Sequence, residues 1–393
     1  MDLKKLKNRI DWFCENKINA FSPTISPAPK SPERNEIESI YEGVRYFFEK
    51  GVAEIVVQRK YMGSYCDIYL KKNLDETYFV SRNGYLISHV DLDQARQACH
   101  DIHSRFDWTN LQTVIIQSEM MPWSALGKSL IDNEFIGYLN VHQNHCNYLE
   151  HSNLYAKISK AKQSEPYLHY IGYKAEHSAK EVKEHFPGHI VRQYDSLTAF
   201  KVLDLPEYRK YIDIYAEQIA HFGRTGDIYF KPFNVLKKVF EDGSELLVND
   251  NMSYREVNDD EFLNLPTGNE EEMNCSVERI YEWFAQLTAE NEEGIVIKPR
   301  QAFIKNLPPA LKVRNNQYLV MIYGIDFQTN YAHNIQKRKI SRKLECSIND
   351  WMLNWEMLKI KNADIDRENY LLKNLVFDRI MGEQIEETLD SRL

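Results

Sequence analysis

The stretch AEIVVQRKYMGSYCDIYL, residues 53–70, decides how this chain is read. β-Branched and aromatic residues fill both halves, and Met62-Gly63-Ser64 interrupts the run. That pattern predicts two strands meeting at a turn. Lys60 ends the first strand. A nucleophilic lysine must be unprotonated and held in line with the atom it attacks, and a strand end fixes its direction. Gly63 lets the backbone come close to a ligand. A lone Lys-x-x-Gly is a weak signal, because surface lysines supply many such matches. Its meaning depends on the rest of the chain.

Upstream, residues 2–18 read as an amphipathic helix, and FSPTISPAPKSPE (21–33) follows as a connector. Its prolines, Pro23, Pro27, Pro29 and Pro32, leave little room for regular structure. IESIYEGVRYFFEKG (37–51) has helical apolar spacing and a glycine stop. Downstream, ETYFVSRNGYLISHV (76–90) reads as a hairpin turning at Asn83-Gly84, and QTVIIQSEMMP (112–122) as a further strand. From 129 to 221 Leu, Tyr, His, Lys and Glu recur at helical spacing. Strand texture returns in GDIYFKPFNVL (226–236), ELLVND (245–250), EEGIVIKP (292–299) and ALKVRNNQYLVMIYGIDF (310–327). After 327 the chain reads as helix, with Leu372, Val376 and Ile380 at i+4 steps. The expected class is α+β, a strand-rich core interrupted by a helical insert and closed by a helical tail. The expected divisions are 1–36 (helix and Pro-rich linker), 37–128 and 226–327 (core), 129–225 (insert) and 328–393 (tail).

Composition bounds the function classes. The 393 residues are 43% hydrophobic and 27% charged, which suits a soluble globular protein, and no apolar run approaches the ~18 residues of a membrane span. MDLKKLKNRIDWF interleaves charge with apolar residues, unlike a secretory signal. Cys14, Cys66, Cys99, Cys146, Cys275 and Cys346 are scattered, as suits a reducing cytoplasm, the expected location. HQNHC holds His142, His145 and Cys146, but no second cluster completes a zinc set, and packing is the preferred reading. A net charge of −9 argues against a nucleic-acid coat over the whole surface. It leaves room for a local basic site, for which KRKISRK (337–343) is the candidate, beside the plainer reading of a solvated loop.

Order along the chain carries more than any single motif. After Lys60 come Arg82, Glu119 in EMMPWSA, Phe233, Glu293-Gly294 in EEGIVIK, Lys298, and Lys312 and Arg314 in LKVR. This series resembles the motifs of covalent nucleotidyltransferases, the superfamily of polynucleotide ligases and RNA-capping enzymes. KYMGS, EMMPWSA, PALKVR with its following YLVMIYG, and the terminal helices ending in DSRL look like the ligase component of bacterial polynucleotide kinase–phosphatase–ligase RNA repair. The resemblance covers most of the chain from about residue 37.

It implies a nucleotidyltransferase (ATP-grasp-like ligase) core of antiparallel sheets, ATP as nucleotide, and Mg2+ or Mn2+. It casts Lys60 as the site of a lysyl-AMP, with Lys298, Lys312 and Arg314 neutralising the reacting phosphate. Glu293 would hold the metal through hard carboxylate oxygens. Glu119 is the candidate ribose contact, Phe233 the adenine platform, and Arg82 a contact to ribose or the RNA 5′-phosphate. Gln58 offers its amide carbonyl to the adenine amino group, and Gly63 completes the turn. Each residue alone has a structural alternative: Phe233 as core, Glu119 as a satisfied strand-end carboxylate, the cations as solvated edge charges. Glu292 is expected to face solvent, since alternation sends it opposite Glu293.

Two positions depart from the wider superfamily. Tyr65 stands where many ligases carry arginine, and Met62 replaces the aspartate of Lys-x-Asp-Gly, the latter in keeping with the RNA-repair branch. Capping enzymes and most DNA ligases append an OB domain, for which the helical tail leaves no strands. The favoured expectation is an ATP-dependent RNA ligase acting on broken RNA, a tRNA above all. Its partners would be a kinase–phosphatase and an RNA 2′-O-methyltransferase, without which it would seal poorly, and no membrane is involved. The alternatives are an adenylation-deficient subunit of a repair complex and a capping-type nucleotidyltransferase.

Overall fold

A computed structural model describes residues 3–383. Its strands, in chain order, are β1 (Ser26–Pro27), β2 (Glu54–Lys60), β3 (Ser64–Lys71), β4 (Tyr78–Ser81), β5 (Leu111–Met121), β6 (Tyr229–Phe240), β7 (Glu245–Leu247), β8 (Phe262–Pro266), β9 (Gly294–Pro299) and β10 (Leu311–Arg314). They make two five-stranded sheets, ordered β1-β10-β9-β2-β8 and β4-β3-β5-β6-β7. Pairing is antiparallel except between β1 and β10. The two strands of 53–70 thus meet at a turn as expected, but that turn carries the chain from one sheet to the other.

Alternation sorts each strand into two faces. In the first sheet Ile55, Val57, Ile295, Ile297, Leu311 and Val313 face the helices Ile40–Glu49 and Glu270–Ala289, forming one apolar core. Cross-strand partners share a face, so Gln58↔Val296↔Lys312 and Lys60↔Gly294↔Arg314 lie on the other side, with Lys298 opposite Val56. In the second sheet Cys66, Ile68, Leu70, Val114 and Ile116 are buried against short helices spanning Leu92–Ala98 and His100–His103. Its opposite face presents Tyr65, Asp67, Gln117 and Glu119, paired Tyr65↔Glu119 and Asp67↔Gln117. The cleft lies between the two polar faces.

The helical parts close its ends. A helix over Ser124–Leu130 begins the helical stretch and one over Leu205–Phe222 ends it. Trp123, Phe135, Tyr215 and Phe222 pack it against Met62 and Tyr318. The Pro-rich connector is no tether. Phe21, Ser26 and Ala28 are buried, and β1 adds a parallel strand to the cleft sheet. The helix Leu3–Glu15 shares a core with Trp351, Leu358, Leu372, Val376 and Ile380, so both ends of the described chain meet.

Two readings change. YLVMIYG is helix Asn316–Tyr323, not strand: the Asn315 side chain accepts from Tyr318 N, capping the helix start. A continuous apolar run suits a buried helix as well as a buried strand, and here the cap decides. The arm after Asn83-Gly84 forms only a bridge, Val80↔Leu86, rather than a full strand. The DSRL terminus lies outside the described residues. No helix among them is long and apolar enough to cross a membrane.

Candidate active site

Lys60 and Glu293 meet where β2 ends and β9 begins. Lys60 Nζ lies 2.8 Å from Glu293 Oε1, with the lysine side chain 16% exposed and the glutamate 2%. Glycine is required next to this pair: Gly294 has φ +151°, and a Cβ there would sit 2.1 Å from Val313 O. Gly63 is similarly confined, since a Cβ would meet Met121 Sδ at 2.5 Å and Met120 O at 2.8 Å. Glycine at 294 lets β10 lie against the start of β9, and glycine at 63 lets the turn after Lys60 pack on β5. Alternation separates the adjacent carboxylates as expected, but Glu292 is half-buried outside the cleft and paired with Arg59 at 2.9 Å.

Buried polar atoms in the cleft are left unsatisfied. Among the described residues, Glu293 Oε2 and Gln58 Nε2 are both buried without a hydrogen-bond partner. Leaving such a group unpaired costs on the order of 1–3 kcal/mol, more for a charge, so unpaired atoms on one face mark a place built for a ligand. Glu119 lies across the cleft. Burial pushes its carboxyl up to about 7, while the charges of Lys60 and Arg82 pull it down and that of Glu293 pushes it up. Those influences put Glu119 within electrostatic reach of all three. Arg82 itself is exposed, on the turn after β4.

Phe233 is half-buried and belongs to the cleft rather than the core. The β5–β6 register slips between Gln117 and Ser118, so Phe233 falls between the pairs Gln117↔Asn234 and Ser118↔Pro232, as in a β-bulge, which re-aims a side chain. The Lys298 ammonium sits 4.9 Å from its ring centroid, and Nζ donates to Phe233 O at 3.3 Å. Burial lowers the Lys298 ammonium to about 7. Together with Tyr65, Gln117, Asn234 and Trp351 these residues line a cavity of about 30 Å³.

Tyr65 anchors a polar chain beneath that cavity. Its hydroxyl donates to Asp67 Oδ1 (2.7 Å) and accepts from Gln117 Nε2 (2.9 Å); Asn234 Nδ2 donates to Gln117 Oε1 (3.2 Å), and Ser253 Oγ to Asn234 Oδ1 (3.0 Å). Burial raises the Asp67 carboxyl to about 7, against the Tyr65 hydrogen bond. Asp67, Gln117 and Asn234 were not among the residues picked from sequence. Alternation from Tyr65 and Glu119 would have placed the first two on the cleft face.

Arg314 has a different neighbourhood from the one expected. It shares the cleft face, yet its Nη2 lies 2.6 Å from Glu38 Oε1 and its backbone N donates to Glu38 Oε2 at 2.9 Å. Burial pushes the Glu38 carboxyl up, but Arg314, Arg338 and Lys312 outweigh it and hold it below the ordinary range. Lys312 is half-buried beside this pair. Glu38 carries no sequence signal, being one of several acids just ahead of the helix that starts at Ile40. In HQNHC, His142 and Cys146 pack while His145 is exposed: the His142 ring lies 4.2 Å from that of Tyr138, its Nδ1 meets Tyr208 Oη, and Cys146 is buried.

Two facing antiparallel sheets, with a lysine and a buried glutamate at the crossing turn and cations and an aromatic ring along the cleft, define a nucleotidyltransferase fold of the ligase type. The model of the family "PNKP adenylyltransferase domain, ligase domain" matches residues 15–368, and the chain belongs to that family. It is similar over 100% of both chains to a chain of the Pnkp1/Rnl/Hen1 complex (52% identity, TM-score 0.95) and to one of the Pnkp1/Rnl/Hen1 RNA repair complex (53%, TM-score 0.94). No curated protein matches it.

Proposed function

We propose that this chain is an ATP-dependent RNA ligase that works through a lysyl-AMP on Lys60. The observation that carries the reading is the Lys60–Glu293 pair in a cleft with unsatisfied polar atoms and flanking cations. Lys60 Nζ, once deprotonated, attacks the α-phosphorus of ATP; the P–N bond forms as the bond to pyrophosphate breaks. The RNA 5′-phosphate then displaces Lys60 from AMP, and a 3′-hydroxyl attacks that activated phosphate, releasing AMP and closing the phosphodiester.

Phe233 stacks on adenine, and Gln58 meets its edge. Glu119 binds the ribose. Lys298 and Lys312 face charge that develops on the phosphate, with Arg314 held beside them by Glu38. The unpartnered Glu293 Oε2 fits a divalent cation, which commonly takes one or two carboxylates plus substrate phosphates. When bound, Mg2+ or Mn2+ would polarise the α-phosphate.

The likeness to chains of a Pnkp1/Rnl/Hen1 RNA repair complex supports a kinase–phosphatase and a methyltransferase as partners and RNA as substrate; a broken tRNA is the RNA we expect. Incubation with α-labelled ATP and either metal tests the reading: covalent label is expected on Lys60. Absence of label with partners present would favour the adenylation-deficient subunit, and equal labelling by GTP the capping type.

A further inference from the structure

Outside the cleft, a second concavity carries chemistry that the adenylation reaction leaves unused. The helix Tyr331–Lys337, the turn before it and Ile37 enclose about 530 Å³, lined by Asn330, Asn334, Lys337, Arg338 and Lys339 among others. Lys337 and Lys339 are exposed, and among the described residues neither is paired with a carboxylate. Arg338 is rigid by contrast. Its Nη2 lies 3.1 Å from Glu38 Oε1, and Nη1 donates to Tyr323 Oη at 2.6 Å. Its Nε is buried with no partner among the described residues.

Glu38 is shared. One carboxylate faces Arg314, Arg338 and, through its charge, Lys312, so three cations meet one anion. Lys337 and Lys339 add to that excess, and Asp326 is the acid in the lining. The site is therefore cationic within a chain of net charge −9. Arg314, joined to Arg338 through Glu38, pairs with Gly294, which pairs with Lys60, so the arginine next to the groove and Lys60 are two strand spacings, roughly 10 Å, apart.

The geometry points to this groove as the binding site for the phosphate backbone of the RNA strand, with Arg338 as a fixed floor and Lys337 and Lys339 as its rim. The inference rests on the RNA-ligase reading of the cleft. Phosphate contacts by lysine and arginine orient a nucleic acid without reading its sequence, and amides such as Asn330 add donors. Because Arg338 and Arg314 share Glu38, a strand in the groove enters beside the catalytic strand rather than at a remote patch.

The test compares Lys337→Glu/Lys339→Glu with Lys180→Glu/Lys183→Glu, which makes the same charge change on the insert. The probe is a short, fluorophore-labelled, 5′-phosphorylated RNA, followed by anisotropy across salt concentrations, with thermal unfolding midpoints to verify folding. The groove variant should bind at least about tenfold more weakly at moderate salt, and its slope of log affinity on log salt should be shallower by about one to two. The insert variant should bind as the unaltered chain does. Undiminished RNA affinity in the groove variant overturns the proposal. So does equal weakening in both variants, which would be a net-charge effect, and so does a groove variant that loses only a protein partner. Label transfer from ATP in the unaltered chain tests the cleft separately, so failure of the groove is distinguishable from failure of the cleft reading.

Discussion

Two cation–glutamate pairs lie on one sheet face, two strands apart, and they differ in how fully they are satisfied. Lys60–Glu293 is a single contact at 2.8 Å, its lysine reaches solvent, and one glutamate oxygen is unpartnered. Arg314–Glu38 is nearly sealed, with side chains 2% and 0% exposed, both Glu38 oxygens engaged, and Arg338 as a second guanidinium. A saturated buried pair holds structure. An incompletely satisfied one retains capacity for a ligand, because its remaining hydrogen bonds can still be made. Charge type alone does not separate the two; the count of partners does.

The largest way to break the comparison is to remove the proposed nucleophile. Lys60→Ala should abolish label transfer from ATP while leaving the far-UV spectrum and unfolding midpoint close to those of the parent; label on that variant would end the assignment. Next is the sealed pair. Glu38→Ala strands the buried Arg314 guanidinium and leaves the partly exposed Arg338 without its carboxylate, and loss of one partner of a buried pair typically costs about 3–5 kcal/mol. Denaturant unfolding should register that loss, and a change below about 1 kcal/mol would mean that the pair is not structural. Glu293→Gln should do the reverse, slowing adenylation by a factor on the order of 10² with little change in unfolding midpoint. Single-turnover label transfer at saturating metal would detect it, and near-parental rates would reduce Glu293 to a structural role.

A smaller effect concerns Lys298, whose ammonium titrates near 7 because it is buried. A bound polyphosphate should raise it again, so nucleotide binding at pH 8 should take up protons, measurable by calorimetry in buffers of different ionisation enthalpy. Lys298→Met should remove that uptake. The sign for stability follows from the lowered value: the folded chain binds fewer protons than the unfolded between about 7 and the ordinary lysine value of about 10.4, so this group's contribution is lost as pH falls through 7. Lys298→Met should therefore raise the unfolding midpoint more at pH 6 than at pH 9. The smallest expected effect is the preference for ATP over GTP set by Gln58 and Phe233, read as relative rates of enzyme–nucleotide formation.

Much of the cleft was legible along the chain. Alternation in EIVVQRK places Gln58 and Lys60 on one face whatever the partner strand, because the side-chain period of a strand is two. The helical texture of the insert and the i+4 steps of Leu372, Val376 and Ile380 likewise follow from local spacing. Other features were not legible. Nothing near Glu38 marks it as the partner of Arg314, 276 residues away. YLVMIYG reads equally as strand or helix until Asn315 caps it.

Local sequence determined β2, β3, β5, β6 and β9, the turn at Gly63, the order of the candidate residues and the side of each strand on which they lie. Sheet pairing decided the rest. It sent the chain through the turn into a second sheet, set Glu293 against Lys60 across 233 positions, drew Pro27 into register with Lys312, and used a slipped register to aim Phe233 into the cleft. A strand's own residues establish its two faces, but which strand lies beside it, and in what register, depends on contacts distant in sequence that form only when the whole core packs.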